Sequence, residues 1–250
     1  MTYKMRDVCG GCQPLVGAAS GRPWQGGRAN PVPTELLRMN SEGICYIFGA
    51  GDHDGNHAPP GPDDLVIAAD GGYAHILKYR LPVHMIIGDF DSLPDPPENI
   101  PLVRLPKEKD DTDMAVAIRY GLEAGYSVFR IYGGCGGRIE HTLANIQLLA
   151  ALAQQGEQGF LFDGKTVMTA IHNGAIAFSE RATGYISVFA YSETAFGVRV
   201  KGLKYPLNDA VLRGTRPLGV SNEFIGKTSE ISVSEGTLIV VFPADAHKID

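Results

Sequence analysis

The sequence predicts an α/β protein in which a buried parallel sheet is followed by an all-β domain. Three observations carry that expectation. Four short apolar runs, at 44–48, 65–69, 83–87 and 128–132, each end in glycines, aspartates or both. Helical periods lie between and after them. Beyond Gln155 the helical period disappears, and short strand-like runs separated by glycines and polar turns take over. Continuous apolar strands alternating with helices mark a parallel sheet covered on both faces. Closely spaced short strands without helices indicate packed antiparallel sheets.

Residues 1–40 precede this rhythm. Gly10-Gly11, Gly17, Gly21, Gly26-Gly27 and several prolines break any period, so the segment reads as a poorly ordered leader. Met39 stands just before the first strand, and a natural start there is the matching expectation. The first apolar run leads into Gly49-Ala50-Gly51-Asp52 and the second into Asp70-Gly71-Gly72. The third leads into Gly88-Asp89-Phe90-Asp91 and the fourth into Gly133-Gly134-Cys135-Gly136-Gly137-Arg138. A first helix is expected over 73–79. A second, over 113–124, spaces Met114, Ala117, Ile118, Gly121 and Leu122 by three and four residues. A third, over 141–154, sets Leu143, Ile146, Leu149, Ala150 and Ala153 on one side. Later strands are expected at 160–162, 167–171, 175–178, 185–190, 197–200, 231–233 and 238–242. Residues 201–207 and 219–223 read as polar loop interruptions. There is no internal repeat.

Composition bounds the function. The 250 residues are 44% hydrophobic and 20% charged, enough for one large domain or two modest ones. A net charge of −6 without a long basic run argues against a nucleic-acid surface. No apolar stretch approaches the roughly 18 residues needed to cross a bilayer, and the polar, glycine-rich N-terminus lacks a signal-peptide core. Of the four cysteines, Cys9 and Cys12 form a Cys-Gly-Gly-Cys pair with no second pair at zinc-site spacing. Cys45 reads as core, and Cys135 lies in a glycine loop near any ligand. Free thiols and the lack of an export signal point to the cytoplasm.

The chemistry concentrates at the strand ends. Ligands of open α/β sheets bind beyond the carboxyl ends of the strands, so Asp70, Asp89, Asp91 and the 133–138 loop are expected on one rim. In extended chain Asp89 and Asp91 would point the same way, about 7 Å apart. Two carboxylates drawn to about 4 Å repel by about 4 kcal/mol at an effective dielectric near 20. A bound cation removes that cost, and Mg²⁺ suits an oxygen-only site shared with phosphates. Taken alone, the pair fits a solvated turn equally well; the crowding of carboxylates on one rim tips the reading toward a metal. Asp110, Asp111 and Thr112 are ordinary residues for a helix start, and Asp113 fits either a first-turn carboxylate or a ligand. Four glycines in five residues, Gly133 to Gly137, let backbone N–H groups approach a phosphate at a helix N-terminus. Arg138 can fork onto phosphate oxygens. His141 by its position alone is a capping or packing histidine.

Six motifs in order then carry a resemblance. They are Ala69-Asp70-Gly71-Gly72, Gly88-Asp89-Phe90-Asp91-Ser92, Lys109-Asp110-Asp111-Thr112-Asp113, Gly133-Gly134 through Gly137-Arg138-Ile139-Glu140-His141, Gly202-Leu203-Lys204-Tyr205-Pro206-Leu207 and Val220-Ser221-Asn222-Glu223. Together, over about residues 44–242, they resemble the thiamine pyrophosphokinase family. The resemblance implies a Rossmann-like nucleotide domain over 41–165 and a thiamine-binding β-sandwich over 166–250. It implies transfer of pyrophosphate from ATP to the thiamine hydroxyl with release of AMP, by a homodimer whose site is shared between subunits. Asp89, Asp91 and Asp113 would hold Mg²⁺. Asp70, Thr112, Gly133, Gly134, Gly137, Arg138 and His141 would surround the nucleotide, and Ser221 and Asn222 would contact thiamine from the partner chain. Glu140 stands where the family usually has aspartate, which leaves its role open. Two other readings share parts of this pattern: a pterin pyrophosphokinase of the archaeal type, which has a similar Gly-Asp-x-Asp-Ser element, and a non-catalytic thiamine or nucleotide sensor.

Overall fold

The computed structural model describes residues 43–90, 97–106 and 110–246. The expectations for the leader, for a start at Met39 and for Asp91 fall outside these residues. Among the described residues, fourteen strands form two sheets, with three α-helices. Six strands run parallel: β1 (Ile44–Phe48), β2 (Leu65–Ala69), β3 (Met85–Gly88), β4 (Leu102–Arg104), β5 (Val128–Tyr132) and β6 (Gln158–Asp163). The helices α1 (Tyr73–Tyr79), α2 (Asp113–Glu123) and α3 (Ile139–Gln154) connect them. β7 (Thr166–His172) turns back antiparallel to β6 through a two-residue loop whose first residue, Gly164, has φ +55°. The remaining strands are β8 (Ala175–Phe178), β9 (Tyr185–Ala190), β10 (Thr194–Lys201), β11 (Leu207–Arg213), β12 (Gly219–Glu223), β13 (Ser229–Ser232) and β14 (Thr237–Pro243).

The large sheet has the order β12-β9-β14-β7-β6-β5-β1-β2-β3-β4. The parallel α/β half therefore continues without a break into antiparallel strands. The small sheet, β11-β10-β13-β8, covers that antiparallel half and makes the β-rich second unit. The sequence pattern does not foresee that the first leaf of this unit is the same sheet that carries the α/β half.

Alternation along each strand sorts the core. Cys45 and Ile47 of β1, Ile131 of β5, Ala170 of β7 and Ile239 of β14 share one cluster with α2 and α3. Tyr46, Phe48 and Tyr132 face the other way, against Ile76 of α1. Val167, Ile171, Leu238 and Val240 also face that way, against the small sheet. One face is thus covered by two helices, and the other is divided between α1 and the small sheet. Each fully buried Ile, Leu or Phe here contributes about 1.5–3 kcal/mol. That gain explains why a continuous apolar run such as Leu-Val-Ile-Ala-Ala becomes a strand buried on both faces.

Several expectations require correction. Residues 202–206 connect two strands as the loop reading expects, whereas 219–223 is a strand rather than a loop interruption and 207–213 is a strand that the sequence pattern does not foresee. Both are edge strands, so one side meets solvent and the apolar signal is lost. β4 carries a single buried residue, Val103, and gives no run to detect. On α3 the buried side chains are Asn145, Leu149, Ala150 and Leu152, and Leu143 is exposed. No helix among the described residues is long and apolar enough to cross a membrane.

Candidate active site

The parallel strand order reverses between β1 and β5: from β1 the chain builds outward to β2, β3 and β4, then returns to pair β5 on the other side. Such a reversal splays the loops that follow the two strands and opens a crevice. A cavity of about 620 Å³ lies there. Its wall is formed by Gly49–Gly51 after β1, Asp70 after β2, Asp111 to Met114 at the start of α2, Gly133 to Arg138 after β5, and His141 and Asn145 of α3.

The loops after β1 and β5 run side by side. The Gly51 N–H donates to the Gly133 carbonyl at 2.8 Å, and the Asp52 N–H donates to the Cys135 carbonyl at 2.9 Å. Glycine is required by this approach, because a Cβ at Gly51 would stand 2.1 Å from the Cys135 oxygen. Gly133 (φ +61°) is left-handed, as are Gly136 (φ +81°) and Gly137 (φ +61°). A Cβ at Gly137 would meet nothing within 4 Å, so this backbone is open for a ligand to approach.

Asn145 holds the loop from behind. Its Nδ2 donates to the Gly134 carbonyl at 2.7 Å, and the side chain is 4% exposed. It occupies the stripe 145, 149, 152 on α3, where a polar residue among apolar ones was the available signal. Cys135 is buried beside it, and burial pushes its thiol up to about 12, so it is not a thiolate at neutral pH.

Of the expected rim residues, Asp70, Thr112, Asp113, Gly133, Gly134, Gly137, Arg138 and His141 all line the cavity. Asp70 has φ 52°, a left-handed conformation that aspartate tolerates, within the turn Asp70–Gly72. Thr112 caps α2: its Oγ1 accepts from the Ala115 N–H at 3.1 Å, leaving Asp113 in the first turn. Asp111 is bound to Arg119 at 3.0 Å, which ties the helix start to its second turn. Arg138 is exposed, and its Nε donates to Glu140 Oε1 at 2.6 Å. The Glu140 carboxyl lies below the usual range, first because a backbone N–H serves it and then because of Arg138. Exposed pairs of this kind are weak, so a phosphate can replace Glu140 on Arg138.

Asp89 stands one residue beyond β3. Register sets Ala69 beside Ile87, and a Cβ on Gly88 would lie 3.2 Å from the Asp70 Cα, so Asp89 leaves the sheet next to Asp70. It is half-buried and is not part of the cavity wall among the described residues. Extended geometry does not hold after it, because Phe90 has φ 62°. That corrects the argument that Asp89 and Asp91 share a direction through an extended chain. Phe90 is buried under the Arg104 guanidinium, 4.9 Å from the ring centre, and this packing holds the strained residue in place.

Ser221 and Asn222 lie elsewhere, on β12. Ser221 is exposed at φ 59°, with its N–H donating to Ser187 Oγ at 3.0 Å. Asn222 is buried, accepts from the Tyr205 N–H at 2.9 Å and donates to the Tyr205 carbonyl at 2.7 Å, pinning the 201–207 segment. Along the order β12-β9-β14-β7-β6-β5 they stand five strands from the glycine rim, about 24 Å at about 4.8 Å per strand.

Behind the β1 loop is a histidine cluster that the sequence reading missed. His75 Nε2 lies 2.8 Å from the Gly51 carbonyl, and His53 Nε2 lies 3.0 Å from His57 Nδ1. Burial, and secondarily the neighbouring histidines, lower His53 to about 4. Among the described residues, no group of three His, Cys, Asp or Glu side chains converges on a metal-sized point.

Two family models match in chain order. One, described as thiamin pyrophosphokinase, catalytic domain, covers residues 62–161, and the other, thiamin pyrophosphokinase, vitamin B1 binding domain, covers 175–238. The thiamine pyrophosphokinase of Bacillus subtilis strain 168 is 29% identical over 188 residues, 72% of this chain and 88% of that protein. The crystal structure of thiamine pyrophosphokinase from Bacillus subtilis superposes with a TM-score of 0.71 at 26% identity, covering 80% of this chain and 98% of that one. That of Geobacillus thermodenitrificans gives 0.69 at 28%, covering 81% and 98%. The Candida albicans thiamin pyrophosphokinase, at 14% identity, TM-score 0.64 and coverage of 84% and 91%, shares the fold. The glycine rim lies within the first matched segment, apart from Gly49–Gly51, and β12 lies within the second; the chain belongs to the thiamine pyrophosphokinase family.

Proposed function

We propose that the chain transfers the pyrophosphate group of ATP to the hydroxyl of thiamine, giving thiamine diphosphate and AMP. The observation that carries this reading is the cavity at the β1/β5 reversal, where an open glycine backbone faces a rim of carboxylates. A Rossmann-like nucleotide domain over 41–165 and a thiamine-binding β-sandwich over 166–250 fit that chemistry. The thiamine hydroxyl oxygen attacks the β-phosphorus in line. A new P–O bond forms as the bond to the α,β-bridging oxygen breaks, AMP leaves with the electron pair, and the hydroxyl proton is released.

The residues present fit Mg²⁺, since Asp70, Asp89 and Asp113 offer only carboxylate oxygens to a hard cation. Asp89, Asp91 and Asp113 would hold it, and when bound it offsets charge on the phosphate oxygens. Arg138 exchanges Glu140 for a phosphate oxygen, and the 133–137 backbone donates N–H groups to the chain of phosphates. His141 lies at the cavity mouth and contacts the nucleotide. The acidic rim also favours the positive thiazolium ring of thiamine.

The distance between β12 and the rim supports a homodimer in which Ser221 and Asn222 of one subunit meet the nucleotide held by the other. Exposed Tyr185, Leu218 and Val220 on and beside β12 give that face an apolar surface. Asn222 then shapes the pocket through Tyr205, and Ser221 makes the direct contact. Free, buried Cys45 and Cys135 suit a reducing cytoplasm.

The test is an AMP-release assay with ATP and Mg²⁺, with and without thiamine and with a hydroxymethylpterin as a second acceptor. AMP formed in step with thiamine diphosphate supports the reading. AMP formed only with the pterin moves the chain to the pterin reaction. Binding without turnover moves it to a sensor.

A further inference from the structure

The loop after β1 ends in a carboxylate that pyrophosphoryl transfer leaves unused. Gly49–Gly51 line the glycine rim, and Asp52 follows them. We propose that Asp52 selects the sugar of the nucleotide, its carboxylate accepting hydrogen bonds from the two ribose hydroxyls of ATP. This rests on the reading that the glycine rim holds ATP, and it adds a specificity-determining residue to that site.

The backbone of Asp52 is locked. Its N–H donates to the Cys135 carbonyl at 2.9 Å, and the Gly51 N–H donates to the Gly133 carbonyl at 2.8 Å. Helix α1 holds the same segment: His75 Nε2 donates to the Gly51 carbonyl at 2.8 Å, and the Tyr79 hydroxyl donates to the His53 carbonyl at 3.1 Å. The side chain is therefore presented from a fixed base. It lies against Gly136, where a Cβ would stand 2.5 Å from Asp52 Oδ2. Gly51 and Gly136 both belong to the cavity wall, so the carboxylate stands at the edge of the cavity.

Asp52 is exposed, and among the described residues no cation or hydrogen-bond donor meets its carboxylate. By contrast, Asp111 is held by Arg119, and Glu140 by Arg138. An ionised carboxylate only accepts, so a group laid against it must bring donors. The phosphates of ATP bring none and are repelled. The ribose brings two adjacent hydroxyls, one for each carboxylate oxygen. The adenine amine is a donor too, but it lies beyond the sugar, farther from phosphates held on the 133–137 backbone. Strand order gives the direction. Asp70 and Asp89 follow β2 and β3, on one side of β1, whereas Asp52 and Gly136 meet on the other side, where β1 borders β5. With the outer phosphates at the β2 and β3 carboxylates, the phosphate chain crosses the glycine loop and delivers the ribose to Gly136.

A merely solvated carboxylate beside a triphosphate has the opposite sign, since removing its charge leaves ATP binding unchanged or strengthens it. Calorimetry on the full chain with Mg²⁺ and α,β-methylene-ATP separates the two, because this analogue is not cleaved at the α,β bridge and affinity is read without turnover. Asp52→Asn should weaken binding about tenfold, as befits the loss of charge-assisted hydrogen bonds at an exposed site. The 2′,3′-dideoxy form of the analogue should bind the native chain about tenfold more weakly than the parent, and should bind Asp52→Asn equally well. Inorganic triphosphate should bind the variant at least as tightly as the native chain. Asp52 is on the surface, so the variant folds, and unchanged thermal unfolding verifies that. Equal or tighter binding of α,β-methylene-ATP by Asp52→Asn would overturn the inference. So would an equal loss with the dideoxy form, because the effect would then belong to loop shape or to the base. A native chain that shows the expected pattern yet forms no AMP from ATP and thiamine would refute pyrophosphoryl transfer and leave the inference standing. A native chain that binds no analogue would overturn both.

Discussion

At the scale of single residues, the rim asks different things of neighbouring polar groups. Asp113 is placed by a helix cap and faces the cavity, whereas Asp111 is spent on Arg119. Asp113→Asn should therefore leave the fold intact and reduce turnover by about 10²–10³, the usual loss when one electrostatic group at a reacting centre is removed. Far-ultraviolet dichroism and product formation, measured on one sample, check both halves. Asn145 acts through the loop. Asn145→Leu leaves the buried Gly134 carbonyl without its donor and should cost about 1–3 kcal/mol, read as a lower melting temperature. Asp70 and Asp89 were legible because each follows an apolar run. Asn145 and Arg130 were not, because a polar residue inside a strand or helix pattern reveals its partner only when distant segments meet.

Among the elements, those closest to the site proved the easiest to read. β1 and β2 are buried on both faces, so their sequences are unbroken apolar runs, and in β5 only Arg130 breaks the run. β11 and β12 are edge strands with solvent on one side, and their sequences resemble loops. Extended geometry was a sound default after β3, but the packing of Phe90 under Arg104 overrode it. The start of α2 invites a separate test. Thr112→Ala removes the cap and should cost about 1 kcal/mol of stability. It should also raise KM for ATP more than it lowers kcat, because the first turn of α2 forms one wall of the cavity.

For the molecule as a whole, one sheet joins the parallel and antiparallel halves, and it separates the rim from Ser221 and Asn222 within a chain. If the site is completed by a second copy, a mixture of Asp113→Asn and Ser221→Arg proteins should recover activity that neither shows alone. A quarter of native turnover is the ceiling for random pairing, since one heterodimer site in two is intact in half of the dimers. Acid should also loosen the fold near the histidine cluster. His53 titrates near 6.5 when unfolded and is lowered to about 4 when folded, so folding favours its neutral form. Its contribution is complete above about pH 6.5 and is lost as pH falls toward 4. Melting temperature should drop across that window, and His53→Gln should flatten the drop.

The claim on which the rest depends is that the glycine rim performs pyrophosphoryl transfer. Its most direct test follows ATP, thiamine and Mg²⁺ by phosphorus NMR with the native chain and with folded Asp113→Asn. The account predicts matched growth of AMP and thiamine diphosphate with no ADP, needing thiamine, stopped by chelating the metal and nearly absent in the variant. Release of ADP, or equal turnover by Asp113→Asn, would contradict it.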